Sequence, residues 1–341
     1  MESSSLEPWS LAYYDCWHGD FDRATKIMAV PCRVGINSNV ILLDVFGKII
    51  IKESGPIHSN WIYHAKFLGS SLLVTCAFDR TVKIWKLPEF SLMTKWNMKG
   101  KIYSIDTDLK DRIFAAGDFG ALDILSISQS TTLESIKLEH AACQAMTWYE
   151  QLQCVVLCNS SLTFYLVKIS DRPTTQKSMI LAKLKLSGST VLLNTMGIDA
   201  FKDKHMVALG SHDKIVRIVA IKGSKVKEIK RIHLKNSVTN KIGHVKYVGE
   251  KLVVTLGSPY IAVIDPRAGW SVEYVNVSSE MMMSWGIVPI IMENVASAAI
   301  LDVTSMAIGY VDLTKEIKSN YQEDKSQSVV HEGDTIFDSN S

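Results

Sequence analysis

The chain has 341 residues, of which 47% are hydrophobic and 21% charged, with a formal net charge of +2; this is ordinary globular chemistry, enough for one large domain whose core needs no disulfide staple. Six cysteines, Cys16, Cys32, Cys76, Cys143, Cys154 and Cys158, lie mostly in apolar stretches without a Cys-x-x-Cys pair, which points to buried free thiols in a reducing compartment. No charged-then-apolar leader opens the sequence, and the apolar run from Trp285 to Leu301 is broken by Glu293 and Asn294, so neither secretion nor a membrane span is expected, and the protein is expected to be soluble and intracellular.

Met1 to Pro8 is short and polar and should fray, whereas Trp9 to Trp17 is aromatic and apolar enough to pack. A pattern of apolar strand, polar turn and alternating strand then recurs. It is legible at Ile41-Leu-Leu-Asp44-Val, at Leu72-Leu-Val-Thr-Cys-Ala-Phe-Asp79-Arg-Thr-Val-Lys-Ile-Trp85, and at Ile113-Phe-Ala-Ala-Gly-Asp118-Phe-Gly-Ala-Leu. It returns at Val155-Val-Leu-Cys-Asn159, Met206-Val-Ala-Leu-Gly-Ser-His-Asp213-Lys-Ile-Val-Arg-Ile-Val219, Leu252-Val-Val-Thr-Leu-Gly-Ser258 and Ala299-Ile-Leu-Asp302. The seven turn positions are separated by 35, 39, 41, 54, 45 and 44 residues, close to the period of roughly 40–45 that one four-stranded propeller blade occupies. A small antiparallel sheet cannot bury both faces alone, so such units stack radially and cover one another. In the best copy the strands are expected over 62–68, 72–77, 81–87 and 92–96.

With Asp79, Val82, Ile84 and Trp85 matching a turn aspartate and a strand-ending tryptophan, this segment resembles the WD-repeat β-propeller family. In other copies the tryptophan is replaced by Leu125, Tyr165, Val219 or Ile264, and the Gly-His that usually opens a repeat survives as isolated histidines such as His58 and His140. The resemblance implies an all-β, seven-bladed propeller of four-stranded antiparallel blades over 9–313. Residues 9–17 are the candidate strand that closes the ring, because the last blade stops after its third strand near Asp312. Residues 314–341 turn to Ser, Asn, Gln, Glu and Asp, and from Lys315 onward hold six acids against three lysines; this acidic tail is expected to be disordered. The long fourth interval places an extended rim loop within 168–195.

Several residues near the openings of the inner strands, Tyr63, His64, Tyr103, Gln144, His244 and Trp285, are expected to converge on one mouth of the central channel and to anchor a protein partner. Met281-Met-Met283 beside Trp285 would supply an adaptable contact or interblade filling. Basic residues concentrate in one blade, where Lys225, Lys227, Lys230 and Arg231 read either as a solvated edge or as a patch for RNA or an acidic protein. Asp265 and Arg267 in Val263-Ile-Asp-Pro-Arg267 resemble the Trp-Asp-x-Arg signature by which some WD-repeat proteins dock on a cullin-RING ligase adaptor; the alternative is a local turn-stabilising pair.

Asp15-Cys16-Trp17-His18-Gly19-Asp20 carries nucleophile, base and acid types, but sequence neighbours seldom have the geometry of a Cys-His unit. There is no phosphate-cradling glycine loop, no metal-ligand spacing and no Gly-x-Ser-x-Gly elbow. Cys154 and Cys158, four apart on a strand, would stand about 13 Å from each other, too far to share a metal. The expectation is therefore a non-catalytic scaffold or adaptor of a multiprotein complex. It has no cofactor, metal, membrane or small-molecule substrate, and its partners are proteins, including a catalytic subunit, in an assembly that handles RNA. A ligase substrate receptor and a WD-repeat hydrolase are the alternatives.

Overall fold

A computed structural model describes residues 9–10, 18–34, 37–139, 141–171, 176–188, 195–201, 205–277, 284–292, 295–302 and 307–313. Within them the chain forms seven four-stranded antiparallel sheets, six of them with their strands hydrogen-bonded in sequence order. Strand β1 (Trp9–Ser10) is followed by blade 1, made of β2 (Asp20–Asp22), β3 (Ile27–Val34), β4 (Asn37–Asp44) and β5 (Ile49–Glu53). Blade 2 comprises β6 (Ile62–Phe67), β7 (Leu72–Ala77), β8 (Thr81–Lys86) and β9 (Ser91–Asn97), and blade 3 comprises β10 (Ile102–Thr107), β11 (Arg112–Gly117), β12 (Ala121–Ser126) and β13 (Thr131–Lys137). Blade 4 is β14 (Cys143–Tyr149), β15 (Cys154–Asn159), β16 (Thr163–Lys168) and β17 (Met179–Lys185), with one short 3-10 turn at Glu150–Leu152. Blade 5 is β18 (Thr195–Phe201), β19 (Met206–Ser211), β20 (Ile215–Lys222) and β21 (Lys225–His233), and blade 6 is β22 (Val245–Val248), β23 (Lys251–Thr255), β24 (Tyr260–Asp265) and β25 (Ser271–Asn276). Blade 7 has β26 (Ser284–Met292), β27 (Val295–Asp302) and β28 (Ala307–Asp312).

The fourth place in blade 7 is taken by β1, with Trp9 opposite Ile308 and Ser10 opposite Ala307. The ring thus joins the N-terminal strand to the last blade; residues 11–17 lie outside the described residues, as do 314–341. A second stitch lies beside it. The segment entering blade 1 runs parallel to β6, where His18 N–H donates to the Tyr63 carbonyl at 3.3 Å and Ala65 N–H to the His18 carbonyl at 2.9 Å.

Middle strands are apolar on both faces because a neighbouring blade lies on each side. β7 and β12 are almost continuously buried, whereas the outer strands β9, β17 and β21 alternate or face solvent. The buried side chains sort into seven clusters, each shared by two successive blades. Examples are Tyr149, Phe164 and Leu166 with Val207, Leu209 and Val219 between blades 4 and 5, and Met28, Ile41 and Leu43 with Val288, Ile290 and Leu301 between blades 7 and 1. At roughly 1.5–3 kcal/mol for each fully buried aliphatic or aromatic side chain, these interfaces supply the main favourable term, and no blade has it alone.

The recurrent turn residue has a local cause. Its side-chain oxygen accepts the backbone N–H two residues on: Thr81 N–H to Asp79 at 3.0 Å, Ser161 to Asn159 at 3.1 Å, Ile215 to Asp213 at 3.2 Å and Tyr260 to Ser258 at 3.3 Å. All four sit between the second and third strands. Asp44 does not: it ends the third strand of its blade, where its carboxylate accepts from Phe46 and Gly47, both at 3.0 Å. In blade 1 the residues between the second and third strands, 35–36, lie outside the described residues, and the shortest repeat interval arises because Asp44 follows the third strand instead. Between β16 and β17 the chain makes the long excursion expected after the third strand of blade 4.

Candidate functional site

Alternating strand direction puts the turns after each second strand, and the connections between blades, on one side of the ring, here called the upper face. It is also where every innermost strand begins. Near that beginning the innermost strand carries a bulge in five blades, seen as a register shift between Ile62 and His64, Ile102 and Ser104, Cys143 and Ala145, Thr195 and Gly197, and Ser284 and Gly286. The bulged residues are Tyr63, Tyr103, Gln144, Met196 and Trp285, so four of the six candidates occupy one structural position. The side chains of Gln144, Met196 and Trp285 lie outside the described residues, as do Met281 to Met283.

Tyr63 and Tyr103 meet, with ring centroids 5.7 Å apart. They are joined by two aromatics from connections, Trp61 just before β6 and Phe78 in the turn between β7 and β8. Phe78 stacks on Tyr63 at 5.6 Å and meets Tyr103 edge-on at 5.3 Å, while Trp61 stacks on Phe78 at 5.7 Å. Tyr63 is 3% exposed and belongs to the core between blades 2 and 3, so it supports the patch from beneath. Burial also pushes its phenol far above the ordinary range. Trp61, Phe78 and Tyr103 are partly exposed. Cations cap two of these rings: the Arg33 guanidinium stands 5.1 Å from the Trp61 centroid and the Lys101 ammonium 5.3 Å from that of Phe78. The close approach of β10 and β11 here depends on Gly117, where a Cβ would collide with the Lys101 carbonyl oxygen.

The two histidines of the candidate set point elsewhere. His64 lies one residue past the bulge, opposite Cys76, and His244 holds the equivalent place, its carbonyl accepting from Thr255 N–H at 3.1 Å. Both face the channel, where His18 bridges them with ring centroids 5.3 Å from His64 and 4.2 Å from His244. Main-chain N–H of Ile287 donates to His244 Nδ1 at 3.2 Å. Burial drives all three imidazoles toward the neutral form, His18 down to about 3, with Lys246 adding to the effect on each. Two residues further along the same face are Lys66, paired with Asp106, and Lys246. Asp106 also accepts from Trp148 N–H at 2.7 Å. Burial raises the Asp20 carboxyl and works against that of Asp106, which the Lys66 charge holds low. Among the described residues no set of three His, Cys, Asp or Glu is arranged to hold a metal ion. His64 and His244 therefore pack with His18 rather than with the rings of Tyr63, Tyr103 and Phe78.

Blade 2 carries a polar line through its core. His58 Nδ1–H donates to Asp79 at 2.9 Å, Thr75 O–H to His58 Nε2 at 2.7 Å, and Trp85 Nε1–H to Thr75 at 2.8 Å; this tautomer is the one that satisfies every partner. Burial would raise the Asp79 carboxyl, but the bonds from His58 and Thr81 hold it at about 2. His140 lies outside the described residues.

Of the remaining candidates, Lys225, Lys227 and Arg231 alternate along the exposed face of β21, the outer strand of blade 5, with Lys230 half-buried and Arg231 paired to Glu228. Asp265 accepts from the N–H groups of Arg267 at 2.8 Å and Ala268 at 3.2 Å, and the Arg267 side chain pairs with Glu250, so this pair supports the turn after β24. Cys32, Cys76, Cys143, Cys154 and Cys158 are buried free thiols. Burial pushes Cys143 up to about 12 and Cys154 to about 11. No helix among the described residues is long and apolar enough to cross a membrane.

Seven four-stranded blades make this chain a β-propeller, and the repeat centred on the His58–Asp79–Trp85 line is WD40-like. No family model matches it. A 57-residue segment, 16% of the chain, is 39% identical to Target of rapamycin complex subunit LST8 of Bos taurus, and the proteins of that name from Rattus norvegicus and Mus musculus match to the same extent. The matched segment spans 18% of those relatives' length.

Proposed function

We propose that this propeller is a non-catalytic scaffold or adaptor of a multiprotein assembly and holds a partner protein on its upper face. The observation that carries the reading is the aromatic patch of Trp61, Phe78 and Tyr103, half-buried, fixed from below by Tyr63 and mounted on a rigid interblade core. Rigid aromatics of this kind are the usual energetic anchors of an interface, because they bring large contact area at little entropic cost. Similarity to a protein that is itself a complex subunit supports the same reading.

Purification of the tagged full chain tests it. Wild type is expected to carry stoichiometric partner proteins, a catalytic subunit among them, and Tyr103→Ala combined with Trp285→Ala is expected to lose them with little change in melting temperature. A chain that purifies alone overturns the scaffold reading; partners retained by the double variant place the interface on another surface.

A further inference from the structure

We infer that a segment near the C-terminus of the chain itself, Asp334-Thr-Ile-Phe-Asp338, docks along β5 as a fifth strand of blade 1. All five residues of β5 are exposed, whereas the outer strands β9, β13, β17, β21 and β25 each keep buried or half-buried residues. Three of the five are consecutive isoleucines, Ile49, Ile50 and Ile51, at 56%, 40% and 45% exposure, and Phe46 stands exposed in the turn before them. An open, apolar strand edge pairs with whatever chain reaches it, and native proteins blunt or cover such edges.

Which chain reaches it follows from how the ring closes. In blades 1 to 6 the third strand turns directly into the fourth, but in blade 7 β1 holds the fourth place, so the residues after β28 have no strand position in their own blade. β28 runs from the upper face to the opposite one beside blade 1, its Ile308 and Tyr310 packed in the cluster that holds Ile41 and Leu43 of β4. β5 starts on that same opposite face, after the turn at Asp44. The 20 residues from 314 to 333 separate the end of the described blade from Asp334. Extended, they span up to about 66 Å, whereas sheets packed face to face stand about 10 Å apart.

The segment matches the edge in length, strand propensity and charge. Lys48-Ile-Ile-Ile-Lys52 sets three β-branched residues between two lysines; Asp334-Thr-Ile-Phe-Asp338 sets two β-branched residues and an aromatic between two aspartates. Laid side by side in either direction, each lysine meets an aspartate, and opposite charges across a strand pair are favourable. The other apolar pair of 314–341, Val329-Val330, lies between Ser328 and His331 and lacks this match. A five-residue strand is about 17 Å long and covers far less than the about 1,200 Å² that stable association of separate molecules needs. A tethered segment, for which the pairing is intramolecular, is therefore favoured over a second molecule.

Hydrogen–deuterium exchange of the full-length protein, read on the proteolytic fragment that covers β5, is the test. Wild type is expected to exchange there about tenfold more slowly than Ile336→Asp with Phe337→Asp, with β9 and the melting temperature alike in both. Lys48→Asp with Lys52→Asp is expected to lose the protection, and adding Asp334→Lys with Asp338→Lys to restore it; a role of the lysines within blade 1 alone would not be rescued from the C-terminal segment. Equal exchange of β5 in wild type and in Ile336→Asp with Phe337→Asp overturns the inference, as does failure of the fourfold charge swap to restore protection. Protection that rises with protein concentration overturns the intramolecular pairing and makes a second copy of the chain the occupant.

Discussion

Blades 2 and 5 perform the same structural task by different chemistry. In each, the connection arriving from the preceding blade must be tied to the turn between the second and third strands. Blade 2 does this with a chain of hydrogen bonds through a neutral imidazole, running from Asp79 through His58 and Thr75 to the Trp85 indole. In blade 5 the third strand supplies Arg217, 1% exposed, whose guanidinium pairs with Asp213, donates to Ser211 at 2.8 Å and reaches the Ser187 carbonyl at 2.9 Å. Val219 stands where blade 2 has Trp85, and Leu209 where it has Thr75. One buried fork-shaped cation thus replaces an imidazole, a hydroxyl and an indole. What holds a blade's rim closed is a satisfied polar link, and the residues that make it are exchangeable only as a set.

The largest expected effect comes from breaking the blade 5 link. Arg217→Met should strip Asp213 of its paired guanidinium and the Ser187 carbonyl of its donor, and cost about 3–5 kcal/mol in urea unfolding. Arg217→Met with Asp213→Leu should cost less than Arg217→Met alone, because no orphaned charge remains; a larger loss in the double variant would show that the pair itself, and not the stranded carboxylate, carries the effect.

Acid sharpens the comparison next, because the channel depends on histidines kept neutral while both blade links depend on carboxylates kept ionised. Folded-state values for His18, His64 and His244 lie below the ordinary 6.5. The unfolded chain therefore takes up protons first as pH falls, and stability is fully present above about 6.5 and lost below it. Asp79, Asp106 and Asp213 are held below 3.8, so their contribution goes only in a second, lower window. Stability measured between pH 7 and 4.5 should fall, and His18→Gln should remove about one proton from that slope, or about 1.4 kcal/mol per pH unit where the group is fully coupled. A slope unchanged by His18→Gln would show that this imidazole is not the titrating group.

A smaller effect is expected in blade 2. Trp85→Phe keeps an aromatic ring in the core and removes one N–H to Thr75, which should cost about 1–2 kcal/mol, since Thr75 remains bonded to His58. An effect equal to that of Arg217→Met would mean that the two links are alike in kind.

This contrast also explains what could be read from the sequence. Blade 2 was legible nearly to the residue, strands expected over 62–68, 72–77, 81–87 and 92–96 being found at 62–67, 72–77, 81–86 and 91–97, because its polar line uses conspicuous residue types. Blade 5 showed the strand pattern but not its link, as an arginine inside a strand looks like a solvent-facing one. Asp44 misled because the same side-chain-to-backbone turn serves after second and third strands alike. At the candidate site, the shared position of Tyr63 and Tyr103 could be read, but the bulge that turns His64 inward could not. Trp61 and Phe78 escaped notice although one lies two residues before Tyr63 and the other beside Asp79; connections between strands carry no periodicity to mark a residue as buried or presented.

The smallest effect should come from the basic edge of blade 5. Lys225, Lys227, Lys230 and Arg231 lie on an outer strand, and the Arg231 pair with Glu228 is a surface pair of the kind that contributes little. Replacing all four with Gln should change unfolding stability by no more than about 0.5 kcal/mol, in contrast to the single buried arginine of the adjacent strand. The same variant separates two uses of the surface. Were these side chains to contact RNA phosphates, each loss would lower the slope of log affinity against log salt by about 0.7–0.9, so a quadruple change would flatten it markedly. With the partner held instead by the aromatic patch on the upper face, the quadruple variant should retain its protein partners in full and show no altered salt response. Loss of partners from this variant at unchanged stability would move the binding surface from the upper face of blades 1 to 3 to the outer edge of blade 5.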